Sequence, residues 1–347
     1  MGRKNKKYKK SLRDQAYAEL TQKLAFGESK KAAKEAGTDK GKIFSYETYR
    51  VYWKHIKYFI DWMKEKYPQV TSLKEAEKYV PEWLAYRTNE CTNSRGEPLS
   101  AWTIQTEAAA LNKLFGVDKA DVDRFQPPVR HRADIRRSRV EVPNDKHFSV
   151  TNNDELIRFC RGTGCRRNVL QRIQGKDYWT RTQMENKAKI LSKKGSLAED
   201  DRILLENLKL ALETFPDQDD FLYHRKDKGG KSRFAPIVGP DKDRIIARLK
   251  ETKPDERVWG YVNKNADIHG YRAHYASRVY TMYRRPIESI PYDKVNPGTG
   301  HRYQSEVYHC RLDEAGKKLD RLAMLKVSRA LGHNRVDVVA TSYLRGI

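Results

Sequence analysis

One phenol, two imidazoles and a guanidinium follow one another in the last third of the chain: His269-Gly270-Tyr271-Arg272, then Leu331-Gly332-His333, then Tyr343 a few residues from the end. A phosphodiester attacked by a protein hydroxyl needs the charge on its non-bridging oxygens neutralised, which an arginine fork does with two parallel hydrogen bonds. Imidazoles can donate hydrogen bonds or move protons near neutral pH, and a tyrosine can be the nucleophile. Together these side chains point to phosphoryl transfer to tyrosine.

The elements that must present them can be read locally. From Arg321 to Leu331, Ala323, Val327, Ala330 and Leu331 fall on one face of a helix, and Gly332 is a natural stop for it. Arg335 to Leu344 then restarts a helix with Val336, Val339, Ala340 and Tyr343 on a common face, so the tyrosine sits on a short helix behind a tight turn. The same periodicity also fits Tyr343 as the last core residue of that face.

A chain of 347 residues with 38% hydrophobic content can bury a sizeable core and is expected to form two domains. Its formal charge of +24, from 70 Lys+Arg against 46 Asp+Glu, points to a polyanionic partner, nucleic acid before membrane surfaces. No apolar run approaches the roughly 20 residues of a spanning helix, and the basic N-terminus lacks the apolar core of a signal peptide. A soluble, cytoplasmic, DNA-associated protein is expected. Cys91, Cys160, Cys165 and Cys310 show no zinc spacing, so they read as reduced structural thiols and no metal is expected.

Residues 1–40 read as a basic N-terminal arm, with Arg3, Lys4, Lys6, Lys7, Lys9, Lys10 and Arg13 able to neutralise phosphates or simply be solvated. Residues 41–125 read as an all-helical domain. Ser45 opens a helix with Tyr49, Trp53, Ile56, Ile60 and Met63 on one face, Ser72 and Glu75 form a capping box, Pro81 starts a helix carrying Trp83, and Ser100 caps one carrying Ile104, Ala108, Leu111 and Leu114. The helix aromatics read as core rather than base-stacking platforms.

Residues 126–144, with Pro127, Pro128 and Pro143 among Arg130, Arg132, Arg136, Arg137 and Arg139, read as an extended basic linker. In residues 145–347, Asn153 is expected to cap a helix over 154–161, with a turn through Gly162-Thr163-Gly164-Cys165-Arg166-Arg167. A helical insertion near 179–214 follows, its second helix opened by a Ser196/Glu199 capping box. Phe221 to His224 and Arg233 to Ile237 flank Lys228-Gly229-Gly230-Lys231 as a β-hairpin with lysines at its tip.

In this order, Thr163-Gly164-Cys165-Arg166, Lys228-Gly229-Gly230-Lys231, His269-Gly270-Tyr271-Arg272, Leu331-Gly332-His333 and Tyr343 resemble the tyrosine recombinase family, phage-type integrases, and in particular the integrases of mobile elements. The resemblance implies a mainly α fold with a small β-sheet, in which a helical core-binding domain and a mixed α/β catalytic domain close as a clamp on duplex DNA. It implies site-specific recombination, the integration or excision of a mobile element. Tyr343 would form a 3′-phosphotyrosyl bond, Arg166 and Arg272 would hold the non-bridging oxygens, His269 and His333 would complete the pocket, and Lys228 would protonate the departing 5′ oxygen. No metal or other cofactor is then required. The partners it implies are double-stranded DNA crossover sites, further copies of the chain as a homotetramer in the synaptic complex, and room for an accessory DNA-bending factor.

The chain departs from the family pattern in three places. Val169 stands three residues after Arg166, where the family often has an acid that supports the pocket. Tyr343 lies ten residues after His333, one more than in many members, and only Leu344 to Ile347 follow it. Two other readings share these features: a type IB topoisomerase that relaxes DNA without pairing sites, and a catalytically inactive DNA-binding regulator.

Overall fold

The computed structural model describes residues 10–117, 121, 124–131, 148–227, 230–333, 335–344 and 347. The fold is mainly helical, with small antiparallel sheets, and the chain divides into two compact units, residues 1–134 and 135–347. Among the described residues no helix is long and apolar enough to cross a membrane.

The first unit is built from α1 (Leu12–Gln22), α2 (Lys30–Glu35), α3 (Tyr46–Lys66), α4 (Leu73–Ala76), α5 (Val80–Asn89) and α6 (Ala101–Phe115). Ser45 and Ser100 cap α3 and α6 as expected, each accepting a hydrogen bond from the backbone three residues on. Ile56, Phe59, Ile60 and Met63 of α3 pack with Ala108, Leu111 and Leu114 of α6 in one core. Trp62 and Trp83 lie 5.4 Å apart against it, so these aromatics serve packing.

The arm expected over residues 1–40 is corrected from Ser11 onward. Ser11 and Asp14 form a reciprocal capping box, and Leu12, Ala16 and Leu20 then recur every four residues and are buried in the helical core. Truncating a fully buried leucine such as Leu20 costs about 2–5 kcal/mol, so α1 belongs to the folded unit. Lys10 and Arg13 are described, the latter paired with Asp61 at 2.9 Å, whereas the other arm cations and all the linker arginines except Arg130 lie outside the described residues. Arg130 lies over the Trp102 ring, 5.4 Å from its centroid. The Ser72 box does not form, and α4 is a single turn without a side-chain cap.

The second unit runs α7 (Asp154–Thr163), α8 (Arg167–Leu170), β1 (Tyr178–Thr180), α9 (Arg181–Ser192), α10 (Glu199–Thr214), β2 (Asp220–His224), β3 (Arg233–Pro236), α11 (Lys242–Glu251), α12 (Ile268–Tyr283), β4 (Lys294–Val295), β5 (Arg302–Tyr303), β6 (Val307–His309), β7 (Lys318–Asp320), α13 (Arg321–Leu331) and α14 (Val336–Ser342). The expected β2–β3 hairpin is present, with His224 opposite Arg233, and β1 adds a third antiparallel strand beside β2. Trp179 therefore sits in a strand, and the cap of α9 is Thr180 paired with Gln183. Neither Asn153 nor Ser196 supplies the side-chain cap expected of it.

Helix α12 is the spine of this unit. Its Tyr275, Ala276 and Val279 are fully buried among α10, α13 and α14, while Ile268 and Tyr271 pack with α7, α8 and α11. Gly164 ends α7 in the left-handed conformation at φ 60°, and a Cβ there would come within 2.4 Å of the Tyr275 ring. Only glycine lets the end of α7 and Arg166 behind it come this close to α12. After α12 the chain makes two β-ladders, β4–β5 and β6–β7, before Asp320 caps α13, accepting from the Leu322 backbone at 2.9 Å, and holds Arg285 at 2.8 Å.

Candidate active site

Arg272 sits on the second turn of α12 and is 2% exposed. Its Nη1 donates to the carbonyl of Gly164 and its Nη2 to that of Leu331, so it ties the C-terminal ends of α7 and α13 to α12. Helix carbonyls at a C-terminus lack intrahelical partners and carry partial negative charge, which is why a cation is tolerated there. Burial, reinforced by the nearby Arg233 charge, nevertheless brings the Arg272 guanidinium down to about 10.

The third nitrogen, Nε, donates to the Tyr343 hydroxyl at 3.3 Å, and His333 Nε2 lies 3.2 Å from the same oxygen. A phenol has one proton and Arg272 can only donate. The consistent assignment is that Tyr343 accepts from Arg272 and donates to an unprotonated His333 Nε2. The His269 ring stacks on that of Tyr343 with centroids 5.2 Å apart and planes 13° from parallel, and its side chain is exposed.

The hydroxyl is held because the turns around it are held. Gly332 ends α13 at φ 69°, the His333 backbone amide donates to the Ser328 carbonyl at 2.8 Å, and the Ser328 hydroxyl donates back to the His333 carbonyl at 3.0 Å. α14 is shorter than its periodicity suggested: it ends at Ser342, and Tyr343 stands at its C-terminal cap with φ −127°. Tyr343 does pack in the apolar core, with Val339 and Ala340, as the packing interpretation required, yet its hydroxyl is also held by two polar partners.

Arg166, at the start of α8, reaches the same pocket. Its Nη1 donates to Asp227 Oδ2 at 2.5 Å, and Arg233 Nη1 donates to that same oxygen at 2.5 Å. Arg233 also donates to the Ala330 carbonyl at 2.8 Å and from Nη2 to His224 Nδ1 at 2.7 Å. With Nδ1 accepting, the His224 proton is on Nε2, 3.7 Å from the Cys165 sulfur. Both groups are fully buried; burial holds His224 neutral far below its ordinary range and pushes the Cys165 thiol up to about 12. Arg166, Arg233 and Arg272 bring three positive charges and Asp227 one negative, leaving this group electropositive.

Of the expected site residues, Arg166, His269, Arg272, His333 and Tyr343 are thus brought together, and Lys228 lies outside the described residues. Sequence reasoning missed Asp227, Arg233 and His224. Asp227 belongs to no motif, and His224 and Arg233 enter the sequence only as ends of the two hairpin strands. The only signal available was register, since a hairpin pairing Phe221 with Pro236 sets His224 opposite Arg233. Among the described residues no group of three or more His, Cys, Asp or Glu side chains is placed to hold a metal ion. No protein-family model and no curated protein matches the chain.

The histidines set a pH dependence. Burial, with the Arg272, Arg166 and Arg233 charges, brings His333 from 6.5 down to about 4. A histidine with a lowered folded pKa binds its proton more readily in the unfolded chain, so its contribution to stability is complete above 6.5 and is lost as pH falls toward 4. Thermal melting should therefore show a larger drop between about pH 7 and pH 5 for the wild-type chain than for His333→Gln. Parallel curves would show that His333 does not titrate in this way.

Proposed function

We propose that this protein cleaves and rejoins DNA through a covalent bond to Tyr343, as a site-specific recombinase of the tyrosine type. The observation that carries this reading is the Tyr343 hydroxyl held between Arg272 Nε and His333 Nε2, in a pocket where Arg166 and Arg233 add positive charge. Core tyrosines also find partners, as Tyr275 does on the Pro236 carbonyl and Tyr280 on the Asp320 amide; what sets Tyr343 apart is that its partners are a guanidinium and an imidazole, a charge and a proton acceptor, rather than backbone.

In the proposed step Tyr343 Oη attacks the scissile phosphorus as its proton passes to His333 Nε2, and the bond to the 5′ oxygen breaks. Arg272 and Arg166 neutralise the charge that grows on the non-bridging oxygens, where fixed donors are most effective. His269, exposed beside the Tyr343 ring, is positioned to donate to the phosphate. The departing 5′ oxygen takes a proton from Lys228, the assignment made for it from the sequence. Because the phosphodiester energy is kept in the phosphotyrosyl bond, a 5′ hydroxyl from another strand can reverse the step and complete strand exchange.

The direct test is incubation with a nicked duplex carrying the crossover site of the element that bears this chain, followed by denaturing electrophoresis. An adduct of protein and DNA is expected, and none forms with a regulator that has lost catalysis. A dependence of product on paired sites then separates recombination from simple relaxation. The net charge of +24 adds an expectation for binding. Neutralising six to ten phosphates costs about 10³-fold or more in affinity between roughly 50 and 200 mM salt, so titrations across that range should show a steep slope. A flat plot of log affinity against log salt would count against phosphate-dominated binding.

A further inference from the structure

We infer that Asp227 is the residue that fixes Arg166 in the phosphate pocket, and so acts as a positioning residue for the strand transfer proposed above, on which this inference rests. Three residues after Arg166, where the family the chain resembles often has an acid, stands Val169, which is 3% exposed and packed with Leu170 and Ile173 in the apolar core. An alkyl group there cannot hold a guanidinium. Arginine loses rotamer freedom when immobilised, and an arginine left loose would lose it at the moment of binding. Some other group has to order it beforehand.

Asp227 meets that requirement from a different element. It is 2% exposed, and Arg166 makes its one side-chain hydrogen bond among the described residues to it. Asp227 is itself held through its backbone and through Oδ2. Its backbone amide donates to the Lys231 carbonyl at 2.7 Å and its carbonyl accepts from Gly230 at 2.8 Å, which closes the base of the hairpin tip. Arg233 shares its Oδ2 and is in turn locked to His224 and to the Ala330 carbonyl in the last turn of α13. A Cβ on Gly332 would meet Arg233 Nη1 at 2.7 Å, so the left-handed turn that leads to His333 is packed on the same guanidinium.

The contacts therefore run from the His333 turn through Arg233 and Asp227 to Arg166, and Asp227 is followed in the sequence by Lys228. One carboxylate shared by two arginines leaves positive charge over. Asp227 can orient Arg166 without cancelling what a phosphate would bind.

The test is a double-mutant cycle read as the rate of adduct formation on the nicked duplex. Asp227→Asn keeps the shape but removes the charge that strengthens the bond, and is expected to slow the reaction about tenfold by loosening a phosphate-binding group, with DNA affinity within about twofold. In an Arg166→Ala background the same change should cost nothing further, because its effect runs through Arg166. Asp227→Glu, which keeps the charge opposite Arg233 but moves the oxygen, is judged by the same cycle if Asp227→Asn does not fold.

Equal slowing in both backgrounds, no slowing in either, or loss of fold in both Asp227 variants would overturn the positioning role. The ordering is also read without any reaction, from side-chain NMR of the DNA-free chain with the Arg166 signal assigned through Arg166→Lys. Its guanidinium should be ordered in the wild type and rotationally averaged in Asp227→Asn. A wild-type chain that forms no adduct, with that ordering still dependent on Asp227, would sink strand transfer and leave the contact standing. An Arg166 signal unchanged by Asp227→Asn would sink the contact itself.

Discussion

Tyr343→Phe is expected to bind the nicked duplex as the wild-type chain does and to form no covalent adduct at all. A nick placed close to the scissile phosphate lets the short leaving strand diffuse away after cleavage, so the 5′ hydroxyl that would reverse the step is gone and the phosphotyrosine accumulates in the wild type. Phenylalanine keeps the ring that stacks on His269 and packs with Val339 and Ala340. It removes the oxygen that the bond to phosphorus requires. The change is local energetically: two hydrogen bonds of 3.2 and 3.3 Å are lost, and a buried donor left without its acceptor costs about 1–3 kcal/mol. That can lower the melting temperature by a few degrees without unfolding the chain. Affinity dominated by lysine and arginine contacts to phosphate should not register one uncharged hydroxyl. An adduct that persists in Tyr343→Phe would assign the nucleophile elsewhere, and metal-dependent cleavage without any adduct would remove the assignment of strand transfer through tyrosine.

What the sequence made legible was set by the range of the interactions involved. α3, α6 and α13 carry their apolar residues at helical spacing and begin or end at Ser45, Ser100 and Gly332, so local pattern was enough. α1 has the same spacing, but with Arg13 and Lys10 beside it the charge drew attention from Leu12, Ala16 and Leu20. Caps were the least legible detail. Ser196 and Thr180 both begin a plausible box, and only the pairing of β1 with β2, which sets Thr180 opposite Asp220 and is joined by the Tyr178 hydroxyl donating to the Asp220 carboxylate, places Thr180 at the start of α9.

The candidate site divides along the same line. Arg166, His269, Arg272, His333 and Tyr343 lie in short motifs whose order could be matched, and the structure brings these five together. Asp227 and Arg233 belong to no motif. Their role exists only because the β2–β3 hairpin carries Asp227 to Arg166 and lays Arg233 against the last turn of α13. Val169 offers Arg166 no polar partner, and the one it has, Asp227, comes to it through tertiary packing.

Arg272→Lys is expected to lower the rate of adduct formation by about 10³-fold, within the range seen when a transition-state arginine is removed. The guanidinium serves three acceptors in fixed directions, the Gly164 carbonyl, the Leu331 carbonyl and the Tyr343 hydroxyl. An ammonium is a single point of charge on a flexible stem and cannot reach all three at once. One or more buried carbonyls is then left without a donor, at about 1–3 kcal/mol each, which lowers stability as well as rate. The pH dependence gives a second signature with a definite sign. Burial and neighbouring positive charge already bring the arginine from 12.5 down to about 10, and the same surroundings should pull a lysine below its ordinary range. The residual activity of Arg272→Lys should therefore fall with rising pH, and do so at a lower pH than that of the wild type. DNA affinity near neutral pH should change little, since a cation is retained. Adduct formation by Arg272→Lys at the wild-type rate would exclude Arg272 from the transition state and reduce it to a tie between the ends of α7 and α13.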